Sequence, residues 1–315
     1  MSAGRLLPGT PAPMHRWKGS GGISIAGDAW GDPKGPLVLL QHGGGQTRHA
    51  WKGAGERLGA AGYHAIAFDA RGHGDSEWAA DGNYTQDIMV EDLLCVADAL
   101  GGNRPVLVGA SMGGGTSLAA VGEDRIDATA LVLVDIAHRV EPDGVKKIRA
   151  FMGQSPDGFD TLEEVADAIS SYQPHRKRKT NLEGLAKNLR LGDNGKYRWH
   201  WDPKFHAGIR DVDLRQQRME ACARNLSLPT LLVRGGLSDI LSEEGAREFL
   251  QLCPRAEYVN VTDAGHMVAG DRNDIFANGV IEFLSRTVPV GKTPIHPPHQ
   301  PTPHKGPGGD ITDVP

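Results

Sequence analysis

A serine, a histidine and an aspartate occur along this chain in an order and setting that could attack a carbonyl carbon. Ser111 stands in Gly109-Ala110-Ser111-Met112-Gly113, where the apolar run Pro105 to Val108 meets the small-residue stretch that begins at Gly113. The run reads as a buried strand and the stretch as the start of a helix. A serine at such a corner sits on a tight turn with Oγ pushed outward, and flanking glycines let strand and helix approach. With 42 glycines in 315 residues the pattern alone carries little weight. Its partners farther along the chain carry more.

A serine hydroxyl needs a base to take its proton, and the base needs a third group to orient it. Of the thirteen histidines, His266 in Thr262-Asp263-Ala264-Gly265-His266-Met267 is the one on a small-residue loop between the last strand pattern and the last helix pattern. The favoured acid is Asp239, on the loop after Leu231 to Arg234. Asp135, at the end of Leu131 to Val134, competes for the same histidine from the neighbouring strand, and otherwise lines the pocket or anchors a loop. Negative charge developing on a carbonyl oxygen needs hydrogen-bond donors. The expected pair is the backbone N–H of Met112 with that of Gly44 or Gly45 in His42-Gly43-Gly44-Gly45. His42 reads as a residue that orders this loop. A phosphate cradle is not indicated, because no Lys-Ser/Thr follows the glycines.

Positioning these groups requires strands. Candidates are Ile23 to Ala26, Leu37 to Gln41, Ala65 to Asp69, Pro105 to Val108, Ala130 to Asp135, Thr230 to Arg234 and Tyr258 to Val261. Most are short continuous apolar runs, as in strands covered on both faces. Helical spacing lies between them, at Val90, Leu93, Leu94, Ala97 and Leu100, and at Phe276, Val280, Phe283 and Leu284 after a cap at Asp271 or Asn273. The alternation predicts an α/β protein with a mostly parallel, doubly wound sheet. Between Asp135 and Thr230 the rhythm breaks into helical patterns without a convincing strand, so a helical cap is expected over 139–225. Its aromatics Trp199 and Trp201, with Gly45, are expected to line the substrate pocket, although at least one tryptophan could instead pack cap onto core. The remaining divisions are an extension over 1–22, a core over 23–138 and 226–288, and a flexible Pro- and His-rich tail over 289–315.

A net charge of −5 with interspersed signs argues against nucleic acid or an anionic membrane as partner. The basic run His175 to Lys179 reads as a solvated turn. Three scattered cysteines without a C-x-x-C pair indicate neither a disulfide framework nor a zinc knuckle. Histidines 296, 299 and 304 in the tail are not read as a metal site, and no cofactor is expected. With no secretory h-region and no run of ~18 apolar residues, a cytoplasmic protein acting on a small molecule is expected, with a homo-oligomer left open.

His42-Gly43, Phe68-Asp69-Ala70-Arg71-Gly72-His73-Gly74-Asp75-Ser76, Gly109 to Gly114, Ser238-Asp239 and Gly265-His266, in this order, resemble the α/β-hydrolase superfamily over roughly residues 23–288. The branch they resemble holds cofactor-free haloperoxidase-like esterases, epoxide hydrolases and haloalkane dehalogenases. The last two use an aspartate nucleophile, so Ser111 implies carboxylic ester or lactone hydrolysis through an acyl-enzyme. The same groups could support C–C bond hydrolysis or peracid formation, and the fold alone could serve a non-catalytic binding protein. The resemblance implies structural roles for Arg71 and His73.

Overall fold

The computed structural model describes residues 3–102, 104–173, 182–207, 212–268 and 273–291. Eleven strands occur among them: β1 (Arg5–Leu6), β2 (His15–Lys18), β3 (Ser24–Trp30), β4 (Leu37–Gln41), β5 (His64–Phe68), β6 (Val106–Ala110), β7 (Ala130–Val134), β8 (Leu189–Leu191), β9 (Tyr197–Trp199), β10 (Thr230–Gly235) and β11 (Glu257–Val261). The helices are α1 (Lys52–Ala60), α2 (Gln86–Ala99), α3 (Met112–Gly122), α4 (Pro142–Gly153), α5 (Leu162–Tyr172), α6 (Lys204–Ala207), α7 (Val212–Arg224), α8 (Glu243–Leu252) and α9 (Asn273–Thr287).

Eight strands form one sheet in the order β11-β10-β7-β6-β4-β5-β3-β2. From β11 to β5 every pairing is parallel, and β3 and β2 add antiparallel strands at one edge. The apolar runs are continuous because both faces are covered. Along β7, Leu131 and Leu133 pack under α2, α3, α7 and α8, whereas Ala130, Val132 and Val134 face α1 and α9. The order in which strands are added reverses at β4: β5 lies on one side of it and β6 on the other. Such a switch opens a crevice at the carboxyl ends of β4 and β6, the points where His42-Gly43-Gly44-Gly45 and Ser111 leave the sheet.

The segment between β7 and β10 and the start of the chain depart from expectation in three ways. The segment is not purely helical: β8 and β9 pair antiparallel, each only three residues long and so too short to show a period-2 signal. The chain start is not a free extension either, since β1 joins this small sheet by pairing with β8, and β2 extends the large one. Finally α7, expected in the cap, packs on α3, with Met219, Cys222 and Ala223 in the core.

The insert docks on the loop after β5. Arg190 of β8 reaches Asp75 at 2.7 Å and the Gly74 carbonyl at 2.6 Å. Asp75 also receives Arg48, a fully buried guanidinium shared with Asp69 at 2.6 Å. Tyr84 donates to Asp202 at 2.6 Å, and the Asp202 N–H donates to the Gly72 carbonyl at 2.8 Å. The Asp-Ala-Arg-Gly-His-Gly-Asp-Ser segment therefore fastens insert to sheet, and Arg71 within it grips Asp92 of α2 with two bonds of 2.6 and 2.7 Å. The basic run 175–179, the cap candidate Asp271 and the tail from 292 onward, with its three histidines, lie outside the described residues.

Candidate active site

Ser111 sits between β6 and α3 with φ +48° and ψ −110°, a conformation that L-residues avoid. Neighbouring glycines make the turn feasible. A Cβ on Gly109 would lie 2.5 Å from the Gly113 carbonyl, and one on Gly113 would lie 2.5 Å from the Gln41 Cβ. The Ser111 N–H donates to the Val134 carbonyl at 3.1 Å, and its carbonyl accepts from Gly115 N–H at 2.9 Å. Both ends of the serine are thus fixed by the sheet and the first turn of α3.

The glycine loop after β4 comes close to it. A Cβ on Gly43 would be 3.2 Å from the Ser111 Cβ. The Gly43 N–H is taken by Gln46 Oε1 at 2.9 Å. The next amides along, of Gly44 and Gly45, belong to residues that line the cavity. His42 shapes this loop as expected. Its Nδ1 donates to the Gly43 carbonyl at 2.8 Å and its Nε2 accepts from the Ala70 N–H at 2.9 Å. That arrangement requires a neutral ring, and burial pushes the His42 pKa below its ordinary value. Two more neutral imidazoles stand in a row with it. His73 lies 5.3 Å from His42 and 5.9 Å from His200, measured between ring centres. Burial, with His42 adding to it, pushes His73 down to about 3, and burial also pulls His200 well down. His200 accepts the Gly74 N–H at 2.7 Å and contacts the Gly45 carbonyl at 3.3 Å, linking the insert to the glycine loop.

His266 lies beyond β11, and its Nδ1 donates to a carboxylate at 2.6 Å. That carboxylate belongs to Asp135, not Asp239. Asp135 terminates β7 with φ +51° and is fully buried. Its Oδ1 accepts the Gly235 N–H at 2.8 Å, and its Oδ2 accepts the Ser238 hydroxyl as well as the imidazole. Asp239 instead meets Lys147 of α4 at 2.9 Å, with its side chain half-exposed. The loop after β10 explains the correction. Ser238 Oγ accepts the N–H groups of Ile240 and Leu241 at 3.1 and 3.2 Å, so residue 238 faces the β7 end and residue 239 turns to the surface. With Nδ1 donating to Asp135, the neutral ring of His266 is the tautomer that has its lone pair on Nε2.

Ser111, Met112, Gly44, Gly45 and His266 share the wall of one cavity of about 460 Å³ between sheet and insert. Trp199 and Trp201 also border it, and each is buried as well. They stack at 4.9 Å, Trp201 donates to the Met152 carbonyl at 3.3 Å, and a Cβ on Gly45 would touch the Trp201 ring at 3.5 Å. Lining the cavity and packing the insert are one role here, not two. Sequence reading missed Ser238, whose signal was only its position beside a candidate acid. It also missed the polar wall residues Gln173, Arg149 and Arg215, which helical spacing does not mark.

The sequence pattern of the alpha/beta hydrolase fold family matches residues 36–272. The chain belongs to that family. It is 30% identical over 262 residues to the esterase Rv0045c of Mycobacterium tuberculosis, covering 79% of this chain and 82% of that one. The crystal structure of that esterase superposes with a TM-score of 0.68 at 28% identity, covering 87% and 92% of the two chains. The 3-hydroxybutyrate-oligomer hydrolase of Cupriavidus necator is 28% identical over 276 residues, 82% of this chain and 89% of its own. The protein is an α/β-hydrolase enzyme of the esterase type.

Proposed function

We propose that Ser111 is the nucleophile of a carboxylic ester or lactone hydrolase that works through an acyl-enzyme. The observation that carries this reading is the Asp135–His266 bond at 2.6 Å, with His266 and the strained Ser111 on one cavity wall. In the first half-reaction Ser111 Oγ attacks the ester carbonyl as His266 Nε2 takes its proton. The developing oxyanion is met by the N–H groups of Met112 and Gly44. Collapse expels the alcohol, protonated by His266, and leaves Ser111 acylated. Water, deprotonated by the same imidazole, then releases the acid. Asp135 holds the ring in the tautomer with Nε2 free and steadies the imidazolium that forms. The insert acts as a cap, and its apolar wall of Phe151, Met152, Trp199 and Trp201 supports an apolar acyl or alcohol part.

A fluorophosphonate probe with subsequent peptide mapping tests the assignment. One adduct on Ser111, absent from a folded Ser111→Ala variant that turns over no p-nitrophenyl ester, is the expected result. Turnover by Ser111→Ala above a few per cent of wild type, in material free of other esterases, overturns it.

A further inference from the structure

Among the described residues, the charged side chains lining the cavity are all basic. Among the described residues its wall carries Lys146 and Arg149 of α4 and Arg215 of α7, and no carboxylate. The chain as a whole has 39 acids against 34 bases, so this is a local bias set against the overall one. Lys146 has an outward partner in exposed Asp143 at 2.9 Å. The side chain of Arg149, exposed at the edge of the cavity, makes no hydrogen bond or ion pair among the described residues. Arg215 reaches over the first turn of α3: a Cβ on Gly115 would lie 3.1 Å from its Nη2. A cation above the positive end of a helix raises the potential of the space in front of it.

A second, independent observation points the same way. Trp199 is buried, lines the cavity, and leaves its Nε1–H without a partner among the described residues. An indole can only donate, and a buried donor without an acceptor is rare and costly. Gln173, also buried and on the same wall, has an amide Oε1 with no partner among the described residues, and an amide can present either end to a ligand. An apolar substrate would leave these groups unsatisfied. A substrate rich in acceptors would satisfy the donors and bring a counter-charge.

We propose that the natural substrate is an ester carrying a free carboxylate remote from the scissile bond, with Arg149 as the specificity residue that receives it. The inference rests on ester hydrolysis at Ser111. The guanidinium offers paired donors to a carboxylate, a geometry that a lysine does not supply. An apolar stretch of the substrate then spans the aromatic wall between the two ends.

Two matched pairs of esters test it: mono-p-nitrophenyl suberate against its methyl-capped diester, and 6-acetoxyhexanoate against its methyl ester. The expected result is a kcat/KM for the carboxylate member at least about tenfold higher in one pair, falling with added salt. Arg149→Gln should cut that ratio about fivefold or more, whereas Lys147→Gln, on the same helix outside the cavity, should keep it. A smaller wild-type ratio in both pairs, or one that survives Arg149→Gln, overturns the proposal and leaves the hydrolase reading standing. If no ester is hydrolysed and Ser111 takes no fluorophosphonate, the hydrolase reading fails instead. The ester part of the inference falls with it, and equilibrium dialysis of suberate against 1,8-octanediol then decides whether Arg149 receives a carboxylate. Suberate retained by wild type and lost by Arg149→Gln upholds the carboxylate-receiving role of Arg149 without the ester, and equal retention of both compounds defeats that role too.

Discussion

Two neighbouring strands, β7 and β10, run parallel in register and each is followed by an aspartate, yet only one of these reaches the histidine. Asp135 is the first residue beyond β7. The sheet fixes its backbone through a 2.7 Å bond to the Val233 carbonyl, and its carboxylate is fully buried. Asp239 stands four residues beyond the end of β10, on a turn closed by Ser238, and its carboxylate is half in water. A carboxylate that must hold an imidazole at one angle is served by the strand end, where position is inherited from the sheet. The turn supplies the accessory donor instead.

The largest effect should come from exchanging the two acids' fates. Asp135→Asn is expected to lower kcat by about 10⁴-fold, with the circular dichroism spectrum retained, because the amide favours the wrong imidazole tautomer. Next comes Ser238→Ala, which removes one donor from the Asp135 carboxylate. A loss of about tenfold in kcat, restored by Ser238→Thr, would mark an orienting hydroxyl. Loss without rescue by threonine would mark mere packing.

The histidine row gives a smaller effect, read in stability. His42, His73 and His200 all have lowered pKa values in the fold. The unfolded chain therefore binds more protons than the native one as pH falls below about 6.5, and stability is lost on acidification. The melting temperature should drop between about pH 7 and pH 5, and drop less for His73→Gln, which keeps a polar group but cannot titrate. A flat profile would show that these rings are not held neutral. Smallest of all, Asp239→Asn should leave kcat/KM within about twofold, since an exposed ion pair contributes little. A loss approaching that of Asp135→Asn would reverse the comparison between the two strands.

Much of this was legible in the sequence, and the failures share a cause. The seven strands of the large sheet seen in the sequence are apolar runs, and burial on both faces is written into composition. Ser111 and His266 were legible because glycines mark the corners that hold them. Asp135 and Asp239 were both legible as candidates, but the choice turned on which way one loop residue points, and that depends on Ser238 bonding two amides. β1, β2, β8 and β9 left no readable signal, being two to four residues long. Only β1 pairs far off in the chain, where local periodicity has nothing to say, whereas β2 pairs with the adjacent β3 and β8 with the adjacent β9 in ladders too short to show alternation.

The pairing of Arg5–Leu6 with Leu189–Leu191 bears on how the site can open. A body tied to its base at two points, here the chain segments leaving β7 and returning to β10, is free to rock about the line that joins them. A third tie placed off that line removes the axis. The first strand of the chain is such a tie, and the Arg190–Asp75 contact reinforces it. The roof over Ser111 is thereby braced by the start of the chain, and rocking it away from the sheet would require β1 to part from β8.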